Sequence, residues 1–121
     1  MIKNIAFIVY AVTDMKRARK FYERTLGLKP GVEYKGSKNW VEYNIGGGTF
    51  AIGSSPDWKP SEDGASAAFE VDDFDKTVAR LKKKKISFKL KPGSFPSCSM
   101  AVIFDPDKNS LIIHKKNKKT S

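Results

Sequence analysis

Residues 5–28, IAFIVYAVTDMKRARKFYERTLGL, contain the pattern on which the fold prediction depends. The sequence from Ile2 to Ala11 is rich in β-branched and aromatic residues and is typical of a mostly buried strand. Either Thr13 or Asp14 can cap the next segment, in which apolar residues recur at helical spacing. These apolar residues are Met15, Ala18, Phe21, Tyr22 and Leu26. The pattern predicts an amphipathic helix of about three turns that ends at Gly27 in a left-handed conformation.

Three strands are expected after this helix, around residues 32–34, 39–45 and 49–53. The last two are joined by Gly46-Gly47-Gly48, a tight link that suits a hairpin with positive φ. Residues 54–64 contain two prolines and several polar residues, so this segment is predicted to be a linker.

An internal repeat follows this linker. Val71-Asp72-Asp73-Phe74 repeats Val12-Thr13-Asp14-Met15 at an offset of 59 residues. The expected elements are a strand over 65–71, a helix with Phe74, Val78 and Leu81 on one face, and strands around 86–90, 99–104 and 110–115. We therefore predict one α+β domain over residues 1–121. It consists of two βαβββ units, about 1–55 and 64–117, with a linker over about 54–64 and a basic tail over 115–121.

The composition excludes several classes of protein. A chain of 121 residues that is 40% hydrophobic and 30% charged predicts one compact domain and excludes a disordered chain or a multidomain enzyme. The longest mostly apolar stretch, Ile5 to Val12, is far shorter than the ~20 residues of a membrane span, and no signal-peptide pattern precedes it. We therefore expect no membrane partner and a cytoplasmic location. One cysteine, Cys98, and one histidine, His114, exclude an internal disulfide and a zinc finger.

The net charge of +10 is unevenly distributed. Residues 1–75 carry ten Lys/Arg against eleven Asp/Glu, whereas residues 76–121 carry thirteen against two. The run Lys82–Lys85 and the tail are dense enough to contact phosphates or anionic lipid. A solvated helix end and a frayed tail explain them more simply, because no aromatic residues alternate with the lysines as in single-strand binders. Nucleic acid is therefore not the expected partner.

Several motifs in this duplicated pattern resemble those of the vicinal oxygen chelate superfamily, which includes glyoxalase I, bleomycin-resistance proteins and extradiol dioxygenases. The motifs are Val12-Thr13-Asp14, Phe21-Tyr22, Leu26-Gly27-Leu28 and Phe104-Asp105-Pro106-Asp107-Lys108-Asn109, the last similar to the family's F-x-D-P-D-G-N turn with a one-residue difference. The resemblance covers nearly the whole chain. It implies that the two units form a cup-shaped, half-open mixed barrel around a ligand or a metal. It does not imply the reaction, because the scaffold carries both enzymes and binding proteins.

Metal-dependent members of that family hold a divalent ion with four side chains, usually His and Glu, and use it to stabilise an enediolate. The resemblance transfers these four positions to Phe7, Ile52, Ser66 and Ile112. None of them is a usual metal ligand, and Ser66 is at best a weak one. The resemblance therefore implies no metal and no cofactor. His114 lies two residues beyond Ile112 and shares its strand parity, so both side chains are expected on one face.

Without metal ligands, the cup would present an apolar surface suited to small organic molecules. Bleomycin-resistance-type members of the family sequester a drug without metal or catalysis, often in a dimer crevice rich in aromatic residues. The candidate lining residues here are Phe7, Val9, Trp40, Glu42, Ile52, Ser66, Ile112 and His114. Trp40, Glu42 and Asn44 alternate onto one face of their strand, so they can present a stacking ring beside a carboxylate and an amide. The alternative is that Trp40 is an ordinary core residue and that Glu42 faces solvent.

Three functional hypotheses follow. The first is a metal-free protein that binds or sequesters a small organic molecule. The second is a glyoxalase-like lyase or isomerase that uses Glu42 and His114 as acid and base. The third and weakest is binding of an anionic polymer through the basic second half. Catalysis by Cys98 is not expected, because a nucleophilic thiol needs a base beside it.

A homodimer is also expected. A duplicated sheet of this size leaves strand edges and a broad apolar face, which proteins normally pair or cover. Two-unit members of the resembled family commonly dimerise. A twofold contact brings the same patch of both chains together, so the run Lys82–Lys85 is expected to lie outside the interface.

Overall fold

The computed structural model of the protein describes residues 1, 3, 5–33 and 39–117. The chain divides into two compact units, Met1–Pro60 and Ser61–Ser121, and the division lies inside the segment 54–64. Both units have the order strand, helix and three strands, which confirms the predicted duplicated α+β fold.

The first unit contains β1 (Ile8–Ala11), α1 (Met15–Arg19) with a π-helical continuation (Lys20–Thr25), β2 (Pro30–Glu33), β3 (Trp40–Ile45) and β4 (Gly48–Gly53). The second contains β5 (Ala67–Glu70), α2 (Phe74–Lys83), β6 (Phe88–Ser94), β7 (Cys98–Phe104) and β8 (Ser110–Lys116). The strand orders are β1-β4-β3-β2 and β5-β8-β7-β6. In each sheet the pair formed by the unit's first and last strands, β1–β4 or β5–β8, is parallel, and the other two pairs are antiparallel.

Both helices begin as the sequence predicts. The side chains of Asp14 and Asp73 accept hydrogen bonds from the backbone N–H groups of Arg17 and Lys76, at 3.1 and 3.0 Å. These bonds satisfy amide groups that have no partner inside the helix. The first helix ends before Gly27, which has the expected positive φ of 78°.

The second half of the first helix differs from the prediction, because it is π-helical. The backbone N–H of Leu26 donates to the carbonyl of Phe21 instead of to the residue four positions back. This wider turn accompanies the burial of two consecutive aromatic residues, Phe21 and Tyr22, whose rings meet edge to face at 4.9 Å. A regular α-helix separates consecutive side chains by about 100° and directs them to different sides.

The core of the first unit lies between this helix and one face of its sheet. The ring of Tyr22 packs against the rings of Tyr43 and Phe50. Tyr43 lies opposite Phe50, and Val41 opposite Ile52, so these buried residues share the helix side of the sheet. Trp40, Glu42 and Asn44 therefore project from the other side, where their partners are Gly53, Ala51 and Thr49.

The second unit repeats this arrangement. Its core combines Val78 and Leu81 of α2 with a set of buried strand residues. These strand residues are Ala101, Ile103, Leu111 and Ile113. The alternate positions of β5 and β8 project from the opposite face, and they include Ser66 just before β5, Ser110, Ile112 and His114.

The largest differences in extent from the prediction are at β1 and β6. β1 begins at Ile8, and the expected strand residues Ile2 and Asn4 lie outside the described residues. β6 continues through Pro92 to Ser94, with register shifts between Phe88 and Gly93. β6 is an edge strand, where a proline is tolerated because one row of backbone groups has no partner strand.

Of the basic tail, residues 118–121 also lie outside the described residues. Within the residues that the structure does describe, no helix has the length and apolar character that crossing a membrane would require.

Candidate functional site

Three aromatic side chains lie together on the face of the first sheet that points away from the helix. We name Phe7, Trp40 and Trp58 the aromatic cluster. The ring of Phe7 meets that of Trp40 at 5.4 Å and 88°, and the rings of Trp40 and Trp58 lie 6.1 Å apart at 52°. Phe7 is 43% exposed and Trp58 is 42% exposed. Large aromatic rings on this face are therefore partly in contact with solvent.

Gly53 makes room for this cluster at the end of β4. A Cβ atom at this position would lie 2.8 Å from Cζ3 of Trp58 and 3.1 Å from Cε3 of Trp40. Both distances are shorter than an ordinary carbon–carbon contact of about 3.5–4.0 Å. The absence of a side chain at Gly53 thus allows the two indoles to approach the same point of the backbone.

Glu42 lies beside the cluster and is held by it. The indole Nε1–H of Trp40 donates to Glu42 Oε2 at 2.9 Å, and both residues are half-buried. This bond orients the ring and leaves the other carboxylate oxygen available to a ligand, since a carboxylate accepts several hydrogen bonds. On the same face, Asn44 accepts a hydrogen bond from the Thr49 hydroxyl at 3.1 Å. Trp40, Glu42 and Asn44 share one face, as their spacing predicts.

The predicted position of Ile52 on this face is wrong by one residue. Ile52 is fully buried on the helix side opposite Val41, whereas Ala51 lies opposite Glu42 and beside Val9. A shift of one residue moves a strand side chain to the other face. Phe50 and Ile52 are large while Ala51 and Gly53 are small, and this alternation is the sequence signal for the correct register.

Sequence reasoning missed Trp58, because it lies in the segment predicted to be a linker. That segment turns back at Ser55, whose carbonyl accepts from the backbone N–H of Trp58 at 3.0 Å. Ser55 Oγ accepts a further bond from the N–H of Asp57 at 3.3 Å. This turn returns Trp58 to the end of the sheet. A tryptophan in a polar, proline-containing segment was the available signal.

The candidates in the second unit lie on the face opposite α2. The hydroxyls of Ser66 and Ser110 are 2.6 Å apart. Ile112 lies between Ser110 and His114 in β8, on the same face. His114 was predicted to act with Glu42, but its carboxylate partner within the second unit is Glu70, with 2.5 Å between Nδ1 and Oε1.

Glu70 was not among the predicted site residues. Its other oxygen accepts a hydrogen bond from the backbone N–H of Lys116 at 2.8 Å. This bond is the main cause of a lowered pKa for the Glu70 carboxyl, and the bond from His114 is the second. The carboxylate therefore holds the His114 ring by Nδ1, and Nε2 remains for other contacts. The sequence did carry a signal for Glu70: it lies four residues after Ser66, so the two side chains are expected on the same face of a strand.

The residues present do not fit a divalent metal. The four positions that the family resemblance indicates hold Phe7, Ser66, Ile112 and, after the register correction, Ala51. Only Ser66 has a side-chain oxygen, and that hydroxyl is paired with Ser110. Across residues 1, 3, 5–33 and 39–117, no three His, Cys, Asp or Glu side chains are grouped so that they could hold a metal ion.

Two other features belong to the second unit. One side of α2 lines an open crevice of about 600 Å³, whose basic members are Lys76, Arg80, Lys83 and Lys84 and whose acidic members are Asp72 and Asp73. Arg80, Lys83 and Lys84 at the end of α2 and Asp72 and Asp73 before its start match the helix dipole, whereas Lys76 lies in the first turn. Cys98 is buried as a free thiol.

Comparison with known proteins supports one family. The family model for the glyoxalase/bleomycin resistance protein/dioxygenase superfamily matches residues 4–113. A search of curated proteins gives no match to this chain.

Solved structures share the fold at low sequence identity. A protein assigned to the glyoxalase family from Bacillus anthracis has a TM-score of 0.81 at 21% identity, over 97% of this chain and 98% of that one. A glyoxalase/dioxygenase from Nostoc punctiforme has a TM-score of 0.81 at 20% identity, over 96% and 92%. The antibiotic binding protein TnmS3 from Streptomyces sp. CB03234 has a TM-score of 0.78 at 22% identity, over 96% and 98%.

Proposed function

The chain belongs to the glyoxalase/bleomycin resistance protein/dioxygenase superfamily, and we propose that it is a metal-free protein that binds and sequesters a small organic molecule. The observation that carries this proposal is the exposed aromatic cluster with Glu42 bonded to it. Apolar surfaces with a few placed polar groups are typical of small-molecule sites. A cytoplasmic location is part of the proposal.

The exposure of the rings supports a binding role over a purely structural one. Full burial of a large apolar side chain stabilises a protein by roughly 1.5–3 kcal/mol. Phe7 and Trp58 are 43% and 42% exposed, so neither ring gains the full stabilisation that complete burial would give. A flat ligand that covers these rings would remove the exposed surface from water, and this burial would contribute to the free energy of binding.

The side chains at the four positions that the family resemblance indicates support the metal-free part of the proposal. A divalent ion such as zinc needs three or four N, O or S ligands at about 2.0–2.3 Å. Phe7, Ala51 and Ile112 have no donor atom in their side chains. The residues that a metal-dependent relative would use therefore present apolar surface in this chain, which suits organic ligands better than ions.

The names of two structural neighbours agree with this function. TnmS3 is an antibiotic binding protein, and FosX from Mesorhizobium loti, with a TM-score of 0.71 at 18% identity, is a fosfomycin resistance protein. Both share the fold with this chain. We propose a role of the same general kind, in which binding removes a small organic molecule from solution.

Native mass spectrometry of protein purified without chelator tests the metal-free state. We expect the mass of the chain alone or of the chain with an organic molecule. Roughly one tightly held divalent ion per chain would contradict the proposal.

Binding measurements test the site. Phe7→Ala and Trp58→Ala are each expected to weaken the binding of a flat aromatic probe such as acridine by at least about tenfold, since each ring contributes stacking area. Ile45→Ala is the control, because Ile45 is also an exposed apolar residue, at 37%, but lies at the other end of β3. Equal affinity in all three variants and the wild type would show that the cluster is not the site.

A second candidate function is a lyase or isomerase, and the bond between His114 and Glu70 favours it. An imidazole held at Nδ1 by a carboxylate can take a proton at Nε2 from a substrate. In this second candidate function, Glu70 and not Glu42 orients His114, which acts as the base. Turnover of a candidate substrate that is lost in His114→Ala and reduced in Glu70→Gln would support it. Unchanged turnover in His114→Ala would dismiss it.

A further inference from the structure

We propose that the ligand of the aromatic cluster is a flat organic cation, whose ring system stacks on Trp40 and Trp58 and whose charge is matched by Glu42. This inference rests on the proposed binding function and adds the chemical class of the ligand. It follows from three features of one sheet face: the ring geometry, the position of the carboxylate and the distribution of basic residues.

Aromatic surface is available at Trp58, which is 42% exposed. The planes of Trp40 and Trp58 are tilted by 52° at a centroid distance of 6.1 Å, so the two indoles do not stack face to face on each other. The face of an aromatic ring carries partial negative charge and attracts cations, with tryptophan the strongest of the three aromatic residues. A cluster with two tryptophans thus favours a positive ligand over a negative one.

The carboxylate of Glu42 is positioned to reinforce this preference. It is half-buried beside the rings, and it accepts a hydrogen bond from the Nε1–H of Trp40 at 2.9 Å. Over the part of the chain that the structure describes, no Lys or Arg side chain forms an ion pair with Glu42. A half-buried carboxylate without a cationic partner makes the site more favourable for a ligand that brings positive charge.

The spacing of these groups sets the size of the ligand. Residues two apart on one face of a strand are separated by about 6.6–6.8 Å, whereas the centres of adjacent fused rings lie much closer together than this. A ligand must therefore carry more than one ring to place a charge near Glu42 while it contacts the indole of Trp40. Two or three fused rings with the charge on or beside one ring fit this distance.

Basic residues are missing from the strands on this face. The described strand positions that project here include Val9, Ala11, Trp40, Glu42, Asn44, Thr49, Ala51 and Gly53, and none of them is Lys or Arg. An anionic ligand would find no opposite charge among these residues. The chain has a net charge of +10, but these strand positions carry no basic side chain.

Three acridines of similar ring size test the inference. N-methylacridinium is a permanent cation, acridine is neutral near neutral pH, and acridine carboxylate is an anion there. Titration calorimetry on the full chain is expected to give N-methylacridinium an affinity at least about tenfold above that of acridine, with acridine carboxylate the weakest. This preference should shrink as salt is added, because salt screens charge–charge attraction at exposed sites.

Two charge-removing variants separate the role of Glu42 from a general effect of net charge. Glu42→Gln keeps the size of the side chain and an oxygen that can accept from Trp40, and it is expected to abolish the preference for the cation over acridine. Asp75→Asn removes one exposed negative charge from α2 and is expected to leave the preference unchanged. Circular dichroism confirms that each variant is folded before its affinities are compared.

The outcomes distinguish the ligand class from the binding function. Equal binding of cation and neutral probe, tighter binding of the anion, or a cation preference that survives in Glu42→Gln would each overturn the cation proposal while the stacking site stands. Failure of all three probes to bind the wild-type protein would overturn the site itself and the proposed function with it.

Discussion

Lys108 occupies a backbone conformation that favours glycine. It lies in the turn between β7 and β8 with φ of 67°, where the similar family turn has glycine. Asp105, at the start of the same turn, is buried and accepts hydrogen bonds from the backbone N–H groups of Asp107 and Asn109 at 2.8 and 2.9 Å. The turn is thus held firmly enough to impose an unfavourable φ on a lysine.

We expect Lys108→Gly to raise the free energy of unfolding by about 1 kcal/mol, because glycine has no Cβ to clash in the left-handed region. The midpoint of urea unfolding measures the change. Lys108→Ala removes the same charge but keeps the Cβ, and its effect should stay within about 0.5 kcal/mol. Equal stabilisation by both variants would show that charge, and not backbone strain, is responsible.

Glu70 makes the stability of the second unit depend on pH. Its pKa in the native state lies below the ordinary value of 4.5, first because of the N–H of Lys116 and then because of His114. A lowered native pKa stabilises the folded state above the unfolded pKa, and this contribution is lost as pH falls through the native pKa.

We therefore expect Glu70→Gln to reduce the free energy of unfolding near neutral pH but to have little effect at acidic pH below the native pKa of Glu70. Urea unfolding of wild type and variant across this range measures the difference. A difference that does not change with pH would refute the assignment.

At the scale of the element, the two helices begin through equivalent aspartates, Asp14 and Asp73. Replacement of an N-cap residue by alanine typically costs about 0.5–2 kcal/mol. We expect Asp73→Ala to lose about 1 kcal/mol in thermal or urea unfolding. Asp72→Ala is the matched control, because the exposed Asp72 precedes the cap and has no hydrogen bond to the helix. A loss of the same size in both variants would argue against the capping role.

The end of β4 controls the aromatic cluster through Gly53. We expect Gly53→Ala to displace the ring of Trp58, because the new Cβ would lie 2.8 Å from it, and to shift tryptophan fluorescence to longer wavelength. Gly47→Ala adds the same methyl group where no atom lies within 4 Å, and it should leave the spectrum unchanged. An unchanged spectrum in Gly53→Ala would mean that the two rings do not meet at this point.

At the scale of the whole molecule, we expect a homodimer. Each sheet has two edge strands, and exposed apolar side chains such as Ile8 in β1 and Leu90 in β6, at 42% and 41%, lie on such edges. Exposed edges and apolar surface are commonly covered by a second chain. Sedimentation at micromolar concentration measures the mass, and a clean monomer of 13.5 kDa would be the contrary result.

Charge restricts where this dimer contact can form. Lys83 and Lys84 line the crevice of α2, and a twofold contact through this side would bring like charges together. We expect the double change Lys83→Glu and Lys84→Glu to leave the dimer intact in the same sedimentation measurement. Dissociation of the dimer would place these lysines at the interface.

The sequence by itself determined the elements and their duplication. The helical spacing after Asp14 and Asp73, the left-handed stop at Gly27 and the hairpin at Gly46 all depend on residues close together in the chain. Local propensity, capping and turn chemistry act over such short separations, so they can be predicted without knowing the pairing of strands. The π-helical segment was not predicted, because it accompanies the packing of two adjacent rings against a sheet formed later in the chain.

Only the tertiary structure decided the composition of the candidate site. Strand pairing places Ala51, and not Ile52, beside Glu42, and it brings Glu70 to His114 across 44 residues of sequence. Trp58 joins Trp40 because the chain turns back at Ser55. A register shift of one residue moves a side chain to the opposite face of a sheet, and a loop returns to its sheet through contacts that no periodicity records. The physical reason is that these positions are determined by contacts between distant residues, whereas sequence patterns report mainly on neighbours.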